Sequence, residues 1–365
     1  MAYGSISVDQ INNTTGYSLG AGNASIMKNR IINGAMVIDQ RNAGASVAIS
    51  TTIYCPDRYQ IRLVAGSGHT AQQVTTAPTG FNNSLKITVG TGASPTAGQN
   101  GFIYQAIEGY NMADLGWGTA NAKTVTISFW VNSSVTGTYG FVLANNAGNR
   151  AYVTSYTINS ANTWEYKTIT IAGDTSGTWE TTNNCGIQVT FDIGQGSNRS
   201  YSASTSWQAN DALGLSGGTK LVATSGATFY ITGVQLEVGS SATGFEYVNY
   251  QTSLANCQRY LPAFTATSPA PLCSAYTTSS TNARGTFIFP VTVRSVPTGI
   301  VASSAGTFGY SSGSGFTASA VTLNNNGSTN ACWIDFAISG ASASTGGSIY
   351  SASGTATIYF TGCEL

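Results

Sequence analysis

Charge is scarce in this 365-residue chain: Asp, Glu, Lys and Arg make up 8% of it and cancel to a formal net charge of zero. An ordinary soluble domain carries roughly 25%. No basic field exists to draw in nucleic acid or an acidic membrane surface, so neither is expected as a partner. The single histidine, His69, sits in Gly66-Ser-Gly-His-Thr70. A Ser-His-Asp triad would have to use it, yet that Gly/Ser-rich setting reads as an exposed loop. The six cysteines lie at least 16 residues apart and form no CxxC pair. That spacing argues against structural zinc and redox motifs, and the thiols read as small buried apolar groups. No run approaches ~18 apolar residues, so no membrane-spanning helix is expected. Residues 1–6 have neither a basic nor an apolar region, so no secretory signal is expected.

Catalytic patterns are equally thin. No phosphate-cradling GxxxxGK[ST] occurs, and the two GxSxG matches (residues 16–20 and 214–218) lie outside any strand-to-helix elbow. Asp174, Glu180 and Asp192 fall close together in sequence and could line one end of a sandwich. They do not form a recognisable glycosidase pair, and no D-x-D-x-D-G spacing marks a calcium loop. The expectation is a protein that is not an enzyme, with no catalytic residue, no metal and no cofactor.

What the chain does contain is β-strand chemistry. Apolar residues make up 42% and aromatics 11%, which excludes disorder, and the 43 glycines follow no collagen-like period. Runs such as Lys123-Thr-Val-Thr-Ile-Ser-Phe-Trp-Val131 and Thr163-Trp-Glu-Tyr-Lys-Thr-Ile-Thr-Ile171 are β-branched and aromatic, bounded by turn residues. One helix stands out: Tyr247, Tyr250, Leu254, Cys257 and Leu261 recur at helical spacing until Pro262 stops them. A shorter helical turn is expected over 108–115, closed by Gly116.

A repeat divides the chain. Residues 227–236 (ATFYITGVQL) align without gaps to residues 356–365 (ATIYFTGCEL), with six identities. Upstream, residues 182–187 resemble 329–334. Both halves thus end on the same two strands, as related sandwiches would. The reading is all-β: two antiparallel β-sandwich (jelly-roll-like) domains joined by a short helix, with an extended N-terminal segment. The boundaries are 1–28 for that segment, 29–246 for the first jelly roll, 247–261 for the connector helix and 262–365 for the C-terminal sandwich.

Six tryptophans split into two groups. Trp130, Trp164 and Trp333 lie in strand-like runs and read as core. Trp117, Trp179 and Trp207 lie in loop contexts. These rings either cover the edges of the sandwich or an oligomer interface, or, where they stay exposed, offer a flat face to sugar C–H groups, which makes these three the candidate glycan-stacking residues.

The segments at 29–41 (NRIINGAMVIDQR), 55–59 (CPDRY), 108–109, 117–130 (WGTANAKTVTISFW), 229–239 (FYITGVQLEVG) and 245–261 occur in an order that resembles a family of bacteriophage virion proteins. The family comprises mostly tail-fibre or receptor-binding proteins whose jelly roll is similar to carbohydrate-binding modules. The resemblance covers roughly residues 29–261 and implies a virion component, usually trimeric, made in the host cytoplasm. It implies a tail fibre or fibre tip that binds host surface polysaccharide during attachment. Residues 1–28 would dock such a protein to other virion proteins. The alternative is a capsid decoration or cement protein with the same scaffold and no essential ligand.

Overall fold

A computed structural model describes residues 27–365, apart from the side chain of residue 325. The docking role expected of residues 1–28 therefore falls almost entirely outside the described residues. In chain order the first unit has β1 (Val47–Ala48), β2 (Ile53–Tyr54), β3 (Gln60–Leu63), β4 (Thr70–Val74), β5 (Ser84–Thr88), β6 (Gly101–Glu108) and β7 (Val125–Ser133). Then come β8 (Gly137–Ala144), β9 (Ala151–Ile158), β10 (Glu165–Ile171), β11 (Cys185–Asp192), β12 (Ser200–Tyr201), β13 (Gly214–Leu215) and β14 (Thr228–Val238). Two six-stranded antiparallel sheets result, ordered β1-β4-β5-β14-β7-β10 and β2-β3-β6-β11-β8-β9. They face each other across one apolar core.

The central strands of both sheets are largely buried on both faces, and the difference lies at β10. In β6, β8 and β11 almost every residue is buried. The outer face of their sheet is covered by the segment after β11, where Ala212 and Leu215 pack on Val142 and Val153. Asp192 pins that cover: its carboxylate accepts from the backbone N–H of Gly194, Gln195 and Leu215 and from Lys220 Nζ. In β10 the pattern alternates instead, buried side chains inward and exposed ones outward. Alternation of that kind marks a sheet with one solvated face. β7 and the later part of β14 in the first sheet are buried on both faces, so that sheet is open only along β10 and at the outward positions Trp130 and Tyr230 beside it.

The expected helix forms as α1 (Tyr250–Gln258), shorter than 247–261 because Asn249 caps it, its side chain accepting from Thr252 N. Residues 109–115 form two short 3-10 turns closed by Gly116 in the left-handed region. The second unit adds β15 (Ala263–Thr267), β16 (Pro271–Ser279), β17 (Asn282–Ile288), β18 (Gly299–Ala302) and β19 (Phe308–Ser311). It ends with β20 (Gly315–Thr317), β21 (Ala320–Gly327), β22 (Ala331–Ala337), β23 (Gly346–Ser351) and β24 (Thr355–Thr361). A three-stranded sheet, β15-β24-β18, packs on a seven-stranded one, β20-β19-β23-β16-β17-β22-β21. Phe287, Phe336 and Phe360 lie in a separate core between them. The repeat maps consistently. β14 and β24 are the last strands of their units and sit mid-sheet, while in the opposite layers β11 lies mid-sheet and β22 lies next to the edge strand β21.

Polar contacts join the units. Glu364 accepts from Arg41 Nη2 at 3.0 Å and also pairs with Arg58, which is buried and stacks on Tyr260. Across the same junction Arg259 Nε donates to Glu108 Oε2 at 2.8 Å. Burial pushes the Glu108 carboxyl up, and hydrogen bonds from Arg259 and Tyr260 outweigh it and hold the group below its usual range.

Two expectations need correcting here. His69 is buried, not exposed. Its Nδ1 accepts from Gly90 N at 3.2 Å, which leaves Nε2 to donate to Ala65 O at 2.7 Å, so the ring ties the 66–68 turn to the end of β5. Trp130, Trp164 and Trp333 are only partly buried and lie outside the cores. The six cysteines are free thiols, five of them buried.

Candidate carbohydrate-binding face

The loop tryptophans come together. Trp117 lies 4.7 Å from Trp179 and 5.1 Å from Trp207 between ring centroids, and Trp179–Trp207 is also 5.1 Å, all edge to face. Each indole N–H is already spent on a backbone carbonyl: Trp117 on Lys123, Trp179 on Ser176, Trp207 on Ala172. Trp117 and Trp179 are 5% and 7% exposed. Two of the three rings expected to stack on sugar therefore have no free face. Small neighbours make this possible: a Cβ on Gly118 would stand 2.7 Å from Gly177 O, so only glycine lets the two loops close over the rings. Trp207 keeps a partly exposed edge and packs on Tyr152 at 5.6 Å.

The rings that do face solvent belong to the strands. In β7 the inward positions are Val125, Ile127, Phe129 and Val131, so Trp130 points out. It pairs across the open sheet with Tyr166 of β10, their centroids 5.3 Å apart, and Tyr166 is 44% exposed. One row along, Tyr230 of β14 pairs with Asn132 of β7 and with Lys86 of β5. Trp164, just before β10, meets Tyr230 edge to face at 6.1 Å, and Lys86 Nζ lies 5.8 Å from the Tyr230 ring.

The band continues past a bulge. The register of β14 shifts between Thr232 and Gln235, with Gly233 at φ 61°. A Cβ there would stand 2.7 Å from Phe81 and 3.1 Å from Trp130, so the missing side chain lets both rings close over the backbone. Phe81 in turn packs on Phe245 at 5.0 Å and Tyr247 at 5.7 Å. These three rings line a groove of about 660 Å³ between the 80–82 and 245–248 loops, the 29–37 segment and α1. Asn29, Asn82, Asn256 and Thr252 add amides and a hydroxyl to its walls.

One polar atom in the band is unused. Asn132 is 8% exposed, and its Oδ1 accepts no hydrogen bond among the described residues. A buried amide oxygen without a donor costs about 1–3 kcal/mol. Nothing in the sequence marked Asn132, because its neighbours on the sheet come from three separate strands.

No family model and no curated protein matches the sequence. Among solved structures, the enzymatically active domain of bacteriophage CBA120 tailspike protein 4 shares 14% identity at a TM-score of 0.33, over 58% of this chain and 22% of that one. A family 11 carbohydrate-binding module from Clostridium thermocellum shares 13% at 0.26, covering 56% of this chain and 99% of the module. The CBM22-1 xylan-binding domain from Paenibacillus barcinonensis shares 12% at 0.25, covering 55% and 99%. This chain thus spans under a quarter of the tailspike domain's length and nearly all of each module. Scores this low assign neither ligand nor activity.

The acids weighed for catalysis are dispersed and engaged. Asp174 makes a two-pronged pair with Arg150, at 2.7 and 2.6 Å. Asp192 is buried under its cover, and Glu180 accepts from Thr182 N at 2.8 Å.

Proposed function

We propose that this chain is a non-enzymatic phage virion protein, a tail fibre or fibre tip, that attaches to host surface glycan through the open face of its first sandwich. The observation that carries the reading is the outward row Tyr166–Trp130, flanked by Trp164–Tyr230. Aromatic faces supply C–H contact area to a pyranose, and a few fixed polar groups choose among sugars. Low charge leaves recognition to shape and hydroxyl geometry. Threefold association fits the same reading, since a chain with so little charge has little to keep its faces apart, and repeated copies multiply a weak single-site affinity.

The test is an array of bacterial surface polysaccharides probed with the full chain and with Trp130→Ala, Tyr166→Ala and Trp207→Ala. The first two variants lose retention by about tenfold or more, and Trp207→Ala keeps it. Retention unchanged in Trp130→Ala and Tyr166→Ala would move the protein to the decoration reading. Release of new reducing ends from a bound polysaccharide would make it an enzyme.

A further inference from the structure

The second sandwich is almost free of charge. Residues 262–365 contain only Arg284, Arg294, Asp335 and Glu364. Arg294 and Glu364 face the first unit: Arg294 Nη1 donates to Asn183 O at 3.2 Å, and Glu364 holds Arg41 and Arg58. The other two charges stand directly opposite each other on β17 and β22, on the outer face of the seven-stranded sheet. Arg284 donates from Nε and Nη2 to the two Asp335 oxygens at 2.7 and 3.0 Å. Asn324 Nδ2 donates to Asp335 Oδ2 at 2.9 Å and Asn282 Nδ2 to Oδ1 at 3.4 Å.

Two rings frame this array. The Arg284 guanidinium lies 5.2 Å from the centroid of Trp333, and Tyr276, 40% exposed, is its cross-strand neighbour on β16. Trp333 also walls a depression of about 350 Å³ where β21 shifts register at Gly327. Beside the cluster the face carries hydroxyls at Ser274, Ser348 and Thr286, and the exposed Ile288 lies further along β17 on the same side. Stability is a weak reason for this arrangement, because a part-exposed ion pair contributes roughly 0–1 kcal/mol.

We infer that the Trp333–Arg284–Asp335–Tyr276 face is a second saccharide site, specific for neutral sugars. It rests on the glycan-binding reading of the first sandwich but uses different residues in a different unit. The carboxylate takes two N–H groups of Arg284 and cancels its charge, so uronates and other acidic sugars gain nothing there. What remains is an indole face, a phenol and a planar array of amide, carboxylate and guanidinium edges that suits vicinal hydroxyls.

The experiment uses the full chain labelled with ¹⁵N and follows the indole N–H signals, each assigned by a Trp→Phe variant. Probes are glucose, galactose, rhamnose and N-acetylglucosamine oligosaccharides, with oligogalacturonate as the acidic comparison. The expected result is that at least one neutral probe shifts the Trp333 signal, also in Trp130→Ala, and that Tyr276→Ala weakens the effect about tenfold. Asp335→Asn frees the Arg284 charge and turns the preference towards oligogalacturonate, which a merely structural ion pair would not do. The inference is overturned if no probe moves the Trp333 signal, or if Asp335→Asn leaves the neutral-to-acidic preference unchanged. Shifts at Trp130 without any at Trp333 would leave the first site standing and remove this one. The reverse pattern would do the opposite.

Discussion

Trp117 and Trp179 meet edge to face with 4.7 Å between their centroids, and both indole N–H groups are satisfied by backbone carbonyls. The pair closes one end of the first core. Trp117→Ala should cost roughly 3–5 kcal/mol in denaturant unfolding, because the vacated volume cannot be refilled by glycine-rich loops. Trp130→Ala, on the open face, should stay within about 1 kcal/mol of the parent. Equal losses at the two positions would contradict the burial described above.

Gly233 is the hinge of the aromatic band. Gly233→Ala puts a methyl at a left-handed position and against Phe81, so stability should fall by about 1–3 kcal/mol. Glycan retention should fall with it, since Phe81 and Trp130 can no longer close together. Heat denaturation and array binding of the same preparation read both effects.

Asp57 gives a pH signature. Burial pushes its carboxyl up to about 7, against weaker opposing pulls from the Gln40 side chain and Arg41, while Asp39 and Glu364 push the same way as burial. The folded state thus holds the proton more tightly than the unfolded chain. This residue's contribution is complete below the ordinary carboxylate value, is lost as pH rises towards 7, and is flat beyond. Asp57→Asn should flatten the fall in melting temperature between pH 5 and pH 8. A variant with the parent's slope would show that the group ionises freely in the fold.

Arg58 and Glu364 pair across the two sandwiches, with the Arg58 side chain 2% exposed. Glu364→Gln leaves a buried guanidinium short of its countercharge and should destabilise by about 3–5 kcal/mol. Limited proteolysis should then cut near α1, where the parent resists.

The architecture was legible because its signals are local. Alternation in 163–171, the helical spacing before Pro262 and the 227–236 repeat each need only a short window. Five of the six tryptophans, Trp207 being the exception, differ in exposure from what their local sequence suggests, for two physical reasons. Strand membership says nothing about facing, yet the parity of Val125, Ile127, Phe129 and Val131 already sends Trp130 outward. Loop membership suggests exposure, yet Gly116, Gly118 and Gly177 let backbone come close enough to bury Trp117 and Trp179. The meeting of Asn132, Tyr230 and Trp164 depends on sheet order, and the sequence holds no short-range trace of it.

Of the fourteen lysines and arginines, ten sit in ion pairs among the described residues. Charge here is used for internal bracing and hardly reaches outward as a long-range field. Dissolved salt weakens attraction between distant exposed charges and does little to ring stacking or short hydrogen bonds. Attachment through such a surface would run at the same strength in fresh water as in brine. Its on-rate would be that of unsteered diffusion, so under the proposed virion role capture would depend on how many copies are presented together.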